Sequence, residues 1–273
     1  MKDILPVLIG GCPRSGTTAI LQVLNTNQNT FISSEENVLK FIKHLNKLLG
    51  TSERRKKTLS KGMRSMSIRE TLTPDKMHNH NFRIDSVWPT LKYVYQYHHY
   101  LICSDPLLLW GDKSPLYAEH IEEICMMNKV NYMHVTRNPL DVVNSMLRRT
   151  SETKKGRDWW ASITEFDAML DAWIVAYQSI MSFEKRDDVL HLYYEEFVFN
   201  FDETMGAVNK FLGVDLNYNN LLISDITLHY ERSFLTKDMV DKICSHPVVI
   251  AYFERAMKSK ELKNVNYSIM PRG

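Results

Sequence analysis

Residues 4–18 read Ile-Leu-Pro-Val-Leu-Ile-Gly-Gly-Cys-Pro-Arg-Ser-Gly-Thr-Thr, and the order of these residues decides the fold. The apolar run from Ile4 to Ile9 ends in two glycines and reads as a buried strand. From Thr17 to Leu24 the apolar residues Ile20, Leu21, Val23 and Leu24 fall at helical spacing, and the asparagine-rich residues 25–29 end the helix. Between strand and helix stand Gly11, Cys12, Pro13, Arg14, Ser15, Gly16, Thr17 and Thr18, which fit the G-x-x-x-x-G frame of a phosphate-binding loop. In such a loop glycines let backbone N–H groups turn inward, and the helix N-terminus adds partial positive charge. Thr17 and Thr18 add hydroxyl donors. Nucleoside triphosphatases carry a lysine after the second glycine, where it serves the β- and γ-phosphates. This chain has Thr17 there, which argues against ATP or GTP hydrolysis, and Arg14 supplies charge from inside the loop instead.

Outward from the loop, polar clusters recur just after strand-like runs. Phe31-Ile32 is followed by Ser33, Ser34, Glu35 and Glu36; Leu107–Trp110 by Gly111, Asp112, Lys113, Ser114 and Pro115. Tyr132–Val135 ends in Thr136, Arg137, Asn138 and Pro139, and Val189–Tyr193 in Tyr194, Glu195, Glu196 and Phe197. Helical spacing is present at 37–49, 87–101, 118–128, 140–149, 159–182 and 202–212. Strands alternating with helices predict an α/β protein: a three-layer P-loop-type fold with a central parallel sheet flanked by helices, and its site beyond the carboxyl ends of the strands. Neither a repeat nor a linker rich in Gly, Ser or Pro interrupts the chain, so a single domain over 1–273 is expected. The tail beyond 222 has no clear placement. Residues 51–70 are strongly basic, with Arg54, Arg55, Lys56, Lys57, Lys61, Arg64 and Arg69. They read either as a solvated insertion or as a lid over an anionic ligand.

Composition narrows the function. The 273 residues are 44% apolar and 24% charged, enough to bury a core without staples. With 34 Lys+Arg against 32 Asp+Glu the net charge is +2, so bulk nucleic-acid binding is not expected and any anion site must be local. The four cysteines, Cys12, Cys103, Cys125 and Cys244, form no C-x-x-C pair, so neither a zinc site nor a disulfide framework is expected. Reduced thiols in a cytoplasmic setting are the simpler reading. No stretch is apolar enough for a membrane span, and the start is too short for a signal peptide.

With Pro13-Arg14-Ser15-Gly16-Thr17-Thr18 in place, the chain resembles the sulfotransferases that use 3′-phosphoadenosine 5′-phosphosulfate (PAPS), closest in flavour to the bacterial and tyrosylprotein-sulfotransferase-like branch. The resemblance implies that Arg14, Ser15, Gly16, Thr17 and Thr18 hold the 5′-phosphosulfate. A second block, His134 to Pro139 through Asn144-Ser145, looks like the family's 3′-phosphate motif. There an arginine at a strand end and a serine eight residues later share the phosphate, as Arg137 and Ser145 are spaced. Arginine suits bidentate capture of a phosphate monoester. A third match, Tyr193-Tyr194-Glu195-Glu196-Phe197, is weaker: Tyr194 is either near the nucleotide or a core tyrosine. The likeness covers roughly residues 5–36 and 107–214 and omits both the basic segment and the C-terminal sixty residues. Thr236-Lys237 could serve as the family's late basic loop, without a distinctive motif.

Sulfuryl transfer needs alignment, stabilisation of the leaving oxygen and a base for the acceptor proton. In the tyrosylprotein-like branch a glutamate 21 residues after the loop arginine is the base. Glu35 stands at that distance from Arg14, with Glu36 as its neighbour. The histidine base of small-molecule sulfotransferases has no recognisable counterpart among the ten histidines. Lys113 in Gly-Asp-Lys-Ser-Pro matches the branch's Asn-Lys-Asp-Pro and is the expected contact to the bridging oxygen, with Asp112 orienting it. Two cations, Arg14 and Lys113, then remove the need for a metal. The expected enzyme moves a sulfuryl group from PAPS to a hydroxyl acceptor (carbohydrate, metabolite or tyrosine) and releases PAP (3′-phosphoadenosine 5′-phosphate). A small-molecule P-loop kinase would need a loop lysine and a magnesium-binding acid, neither evident. A non-catalytic nucleotide-binding protein of this fold would not need Arg14, Glu35, Lys113, Arg137 and Ser145 together.

Overall fold

Five short strands carry the fold: β1 (Val7–Gly11), β2 (Thr30–Ser34), β3 (Leu109–Lys113), β4 (Asn131–Thr136) and β5 (Val189–Tyr193). The structure, a computed structural model, describes residues 5–36, 38–40, 87–103, 105–127, 130–152, 163–218 and 233–258. The strands form one sheet in the order β2-β3-β1-β4-β5, and every neighbouring pair is parallel. β1 and β3 are buried at every residue, as a parallel sheet covered on both faces requires. The central position of β1, with β3 on one side and β4 on the other, puts the loop after it at the point where the strand order reverses.

Side chains alternate across the sheet and meet two separate cores. Val7, Ile9, Met133, Val135 and Leu192 face α1 (Thr17–Leu24), where Ile20, Leu21 and Leu24 are buried. The same core takes in Phe197 of α6 (Tyr194–Phe199) and Met205, Val208 and Leu212 of α7 (Phe201–Leu212). The opposite core is built from α4 (Pro139–Glu152), α5 (Phe166–Met181), α8 (Lys237–Ser245) and α9 (Pro247–Lys258). Trp173, Tyr177, Tyr252 and Phe253 are its large residues. Helices on both sides of a parallel sheet give the expected α/β layering.

The chain divides into two compact units. The first, Met1–Ser34 with Asp105–Gly273, contains the whole sheet. The second is Glu35–Ser104. Its described helix, α2 (Val87–Tyr100), buries Leu91, Tyr95 and His99, a stripe at four-residue spacing, and exposes Tyr93, Tyr97 and Tyr100. Most of the predicted helix 37–49 and all of the basic segment 51–70 lie outside the described residues.

Three boundaries differ from the sequence reading. β3 runs on through Gly111, Asp112 and Lys113, because these residues pair with Val7, Leu8 and Ile9 of β1 and with Ile32, Ser33 and Ser34 of β2. The helix expected at 118–128 is a 3₁₀ turn, Pro115–His120, followed by α3 (Ile121–Met126). The tail that resisted placement forms α8 and α9, and Ile243, Val249, Tyr252 and Ala256 are fully part of the core. Thr236 is the N-cap of α8, its hydroxyl accepting from Met239 N–H at 3.3 Å. No helix among the described residues is long and apolar enough to cross a membrane. None of the four cysteines is in a disulfide.

Candidate active site at the carboxyl edge of the sheet

The loop after β1 is a tight turn with two residues in the left-handed region. Arg14 has φ 71° and Gly16 φ 100°. Ser15 N–H donates to the Cys12 carbonyl at 3.0 Å and closes the turn. Glycine is needed at Gly16 for a second reason: a Cβ there would run into the ring of Tyr194. α1 starts directly after it, with Ala19 and Ile20 N–H donating to the Gly16 carbonyl and no side chain capping the helix. The site side of this turn therefore presents the start of a helix to an anion. Ser15 is fully buried, and its Oγ has no hydrogen-bond partner among the described residues. A buried hydroxyl without a partner costs roughly 1–3 kcal/mol.

Arg14 reaches out of the loop to α4. Its Nε donates to Ser145 Oγ at 3.0 Å, so the two phosphate motifs of the sequence touch. Burial lowers the Arg14 pKa, and the charges of Arg148, Arg149 and Arg137 lower it further. Three further arginines are thus close enough to act on Arg14, and the charge of Glu152 partly offsets them.

Arg137 follows β4 directly. Its Nε is buried with no hydrogen-bond partner among the described residues, the same condition as Ser15 Oγ. Its guanidinium lies over Tyr194, with Cζ 4.6 Å from the ring centroid, a cation–π contact. Its carbonyl accepts from Trp173 Nε1 at 2.8 Å. Asn138 then caps α4: its Oδ1 accepts from Leu140 N–H at 3.0 Å, and Pro139 takes the first helical position. Tyr194 is buried at the start of α6 and lies between Gly16 and Arg137.

Lys113 ends β3, buried, in register with Ile9 of β1 and Ser34 of β2. Beside it in sequence, the Asp112 carboxylate accepts from Ser33 Oγ at 2.6 Å and from Tyr117 Oη. Asp112 therefore ties β2, β3 and the 3₁₀ turn together. Glu35 comes one residue after β2 and opens the second unit with φ 63°, a left-handed conformation rare for glutamate; Glu36 follows it. Direct contacts in the first unit thus join Arg14, Gly16, Ser145, Arg137 and Tyr194, while Glu35 and Glu36 belong to the second.

Sequence reasoning passed over Asn138 and Glu195. Glu195 Oε1 accepts from Asn138 N–H at 2.8 Å across the ends of β4 and β5. An Asn-Pro pair after a strand signals a helix cap. Nothing local to Glu195 signals its partner, 57 residues away. Among the described residues no three His, Cys, Asp or Glu side chains group as metal ligands would.

The comparisons agree with this architecture. The profile of the sulfotransferase family matches residues 6–218. The sulfotransferase domain of the Synechococcus PCC 7002 olefin synthase is 20% identical, with a TM-score of 0.51 over 95% of this chain and 98% of that one. Mouse sulfotransferase SULT7A1, solved in complex with PAP, is 13% identical, with a TM-score of 0.50 over 96% and 88% of the two chains. No curated protein matches the sequence. A parallel α/β sheet with a glycine turn leading into a helix after its central strand defines the class, and the chain belongs to the sulfotransferase family.

Proposed function

We propose that this sulfotransferase takes its sulfuryl group from PAPS and passes it to a hydroxyl acceptor: a carbohydrate, a metabolite or a tyrosine. One observation carries the reading. Ser15 Oγ and Arg137 Nε are both buried and both without a hydrogen-bond partner among the described residues; Ser15 lies in the loop after β1 and Arg137 just before α4, the two elements that the Arg14–Ser145 bond joins. Two anionic groups on one ligand satisfy both, and PAPS carries a 5′-phosphosulfate and a 3′-phosphate. Ser15, Gly16, Thr17 and Thr18 would hold the first group, and Arg137 and Ser145 the second. Tyr194 would line the nucleotide between them.

When bound, PAPS supplies the sulfuryl group and PAP as its leaving group. The chain's own residues do the rest. Arg14 and Lys113 hold the negative charge that develops at the bridging oxygen. Glu35 accepts the proton of the acceptor hydroxyl, from a backbone position held in the left-handed region. Two cations suffice without a metal, so activity survives a chelator. A cytoplasmic setting fits four cysteines outside any disulfide.

A thermal-shift comparison of PAP against ATP with magnesium tests the donor. Stabilisation by PAP is expected; stabilisation by ATP alone would overturn the reading. Glu35→Gln should lower turnover by about 10²–10⁴, the scale of a general base, while PAP affinity changes little. If Glu36→Gln has that effect and Glu35→Gln does not, the base is the neighbour.

A further inference from the structure

Two adjacent pairs of residues brace the ends of β4 and β5. Arg137 stacks on Tyr194, and the next residue on each side does the same in polar form, with Asn138 N–H donating to Glu195 Oε1 at 2.8 Å. Glu195 is 4% exposed, and its Oε2 has no hydrogen-bond partner among the described residues. Asn138 is also the N-cap of α4, receiving Leu140 N–H on its side chain and Asp141 and Val142 N–H on its carbonyl. In an ordinary capping box the residue at the third helical position reaches back to the N-cap amide. Here that position is Asp141, and the amide goes to a carboxylate from another strand end. Glu195 therefore fixes where α4 begins. Arg137 sits just before the cap, and Ser145 follows about two turns into the helix.

We infer that Glu195 is a positioning residue for the 3′-phosphate half of the site, acting on Arg137 through the Asn138 amide, and that it takes up a proton when that phosphate binds. The inference rests on the donor reading above. The groups facing Glu195 are Arg137, Asp141 of α4, Tyr252 of α9 and the adjoining Tyr194. Burial pushes Glu195 up to about 7, against the pull of the Asn138 amide, its own amide and Arg137; Asp141 adds to the rise. A carboxylate titrating near neutrality then meets a second anion beside Arg137. Like charges disfavour ionisation, so the phosphate drives a solvent proton onto the carboxylate. Oε2, which has no partner among the described residues, is the oxygen available to it.

The test is calorimetric titration of the full chain with PAP, and with adenosine 5′-monophosphate, which lacks the 3′-phosphate. Wild type, Glu195→Gln and Glu195→Ala are compared from about pH 6 to about pH 8.5. Glu195→Ala should weaken PAP by about tenfold or more and the monophosphate by less than about twofold. Glu195→Gln keeps an oxygen for Asn138 N–H and should stay within about threefold of wild type near pH 6. Wild-type affinity for PAP should then fall with rising pH by about threefold more than that of Glu195→Gln. The phosphate's own ionisation near pH 6 contributes alike to both proteins. Parallel pH profiles in the two, a Gln variant as weak as the Ala variant, or an Ala variant weak toward both nucleotides would overturn the inference. If Glu195→Ala does not fold, the Gln profile decides alone. A wild type with no preference for PAP over the monophosphate overturns the donor reading itself; a retained preference with failing Gln results overturns only the role of Glu195.

Discussion

Arg137 has a buried Nε without a hydrogen-bond partner among the described residues, a tyrosine face beneath it and a backbone held by Trp173. Such an arginine is pre-ordered at its own cost, and a bound anion recovers that cost. Charge-assisted hydrogen bonds contribute about 1.5–3 kcal/mol. Arg137→Ala should therefore weaken PAP by about tenfold to a hundredfold and leave adenosine 5′-monophosphate within about threefold of wild type. Calorimetry reads both; an equal loss for the two nucleotides would place the 3′-phosphate elsewhere. Arg14 differs in kind. Its left-handed φ and its bond to Ser145 link the loop to α4, so it touches both halves of the site. Its place as the cation inside the loop is read from the motif. Its hydrogen bond to a residue 131 positions away is not.

At the scale of elements, α9, like α8 before it, lies beyond the family profile, whose match stops at residue 218. Its Tyr252 ring meets Trp173, Tyr177 and Phe253 edge-on at centroid distances of 5.3–5.5 Å. Truncating a fully buried aromatic costs roughly 3–5 kcal/mol, so Tyr252→Ala should lower the urea midpoint sharply. Arg255 on the same helix pairs with Glu184 at 2.6 Å, but half of the arginine is exposed. Arg255→Ala should cost no more than about 1 kcal/mol. Equal losses for the two variants would show that α9 is held by its ion pair rather than by its rings. Helix α4 shows the reverse balance, because its start is set by polar groups: Asn138 from within and Glu195 from across the sheet.

For the whole molecule, stability against pH is set by buried groups that oppose one another. His134 and His191 lie on the α5 and α9 face of the sheet, each joined to a hydroxyl: Tyr132 Oη at 3.1 Å and Thr136 Oγ1 at 2.8 Å. Burial lowers both below their ordinary value of 6.5. The unfolded chain then binds more protons below pH 6.5, and these histidines destabilise the fold as pH falls. Glu195 acts in the other direction. Raised from 4.5 to about 7, it binds its proton more readily in the folded chain, so its contribution is full below pH 4.5 and is lost as pH rises toward 7. The wild-type profile should therefore be less steep than the two histidines alone would make it. Glu195→Gln removes one side of the balance, and its stability should fall more steeply on acidification from about pH 7 to about pH 5, by up to about 1.4 kcal/mol per pH unit. Urea melts at several pH values measure this; superimposable profiles would rule it out.

The fold class and half of the candidate site can be read from local properties of the chain. A glycine turn between an apolar run and an amphipathic helix, strand runs ending in polar clusters, and an arginine eight residues before a serine all act over a few turns of backbone. Periodicity and loop chemistry can be read over that range, and they pointed to Arg14, Ser15, Gly16, Arg137, Ser145 and the parallel sheet. The strand order, the continuation of β3 through Lys113, the two C-terminal helices and the Asn138–Glu195 brace depend on what lies beside each segment in space. β3 extends because its neighbours offer hydrogen-bonding partners, and α8 and α9 are fixed by a core assembled from distant helices. The glycine loop alone has the frame of a phosphate-binding loop. Folding adds the bond from Arg14 to Ser145, which joins that loop to the helix carrying the proposed 3′-phosphate residue Ser145.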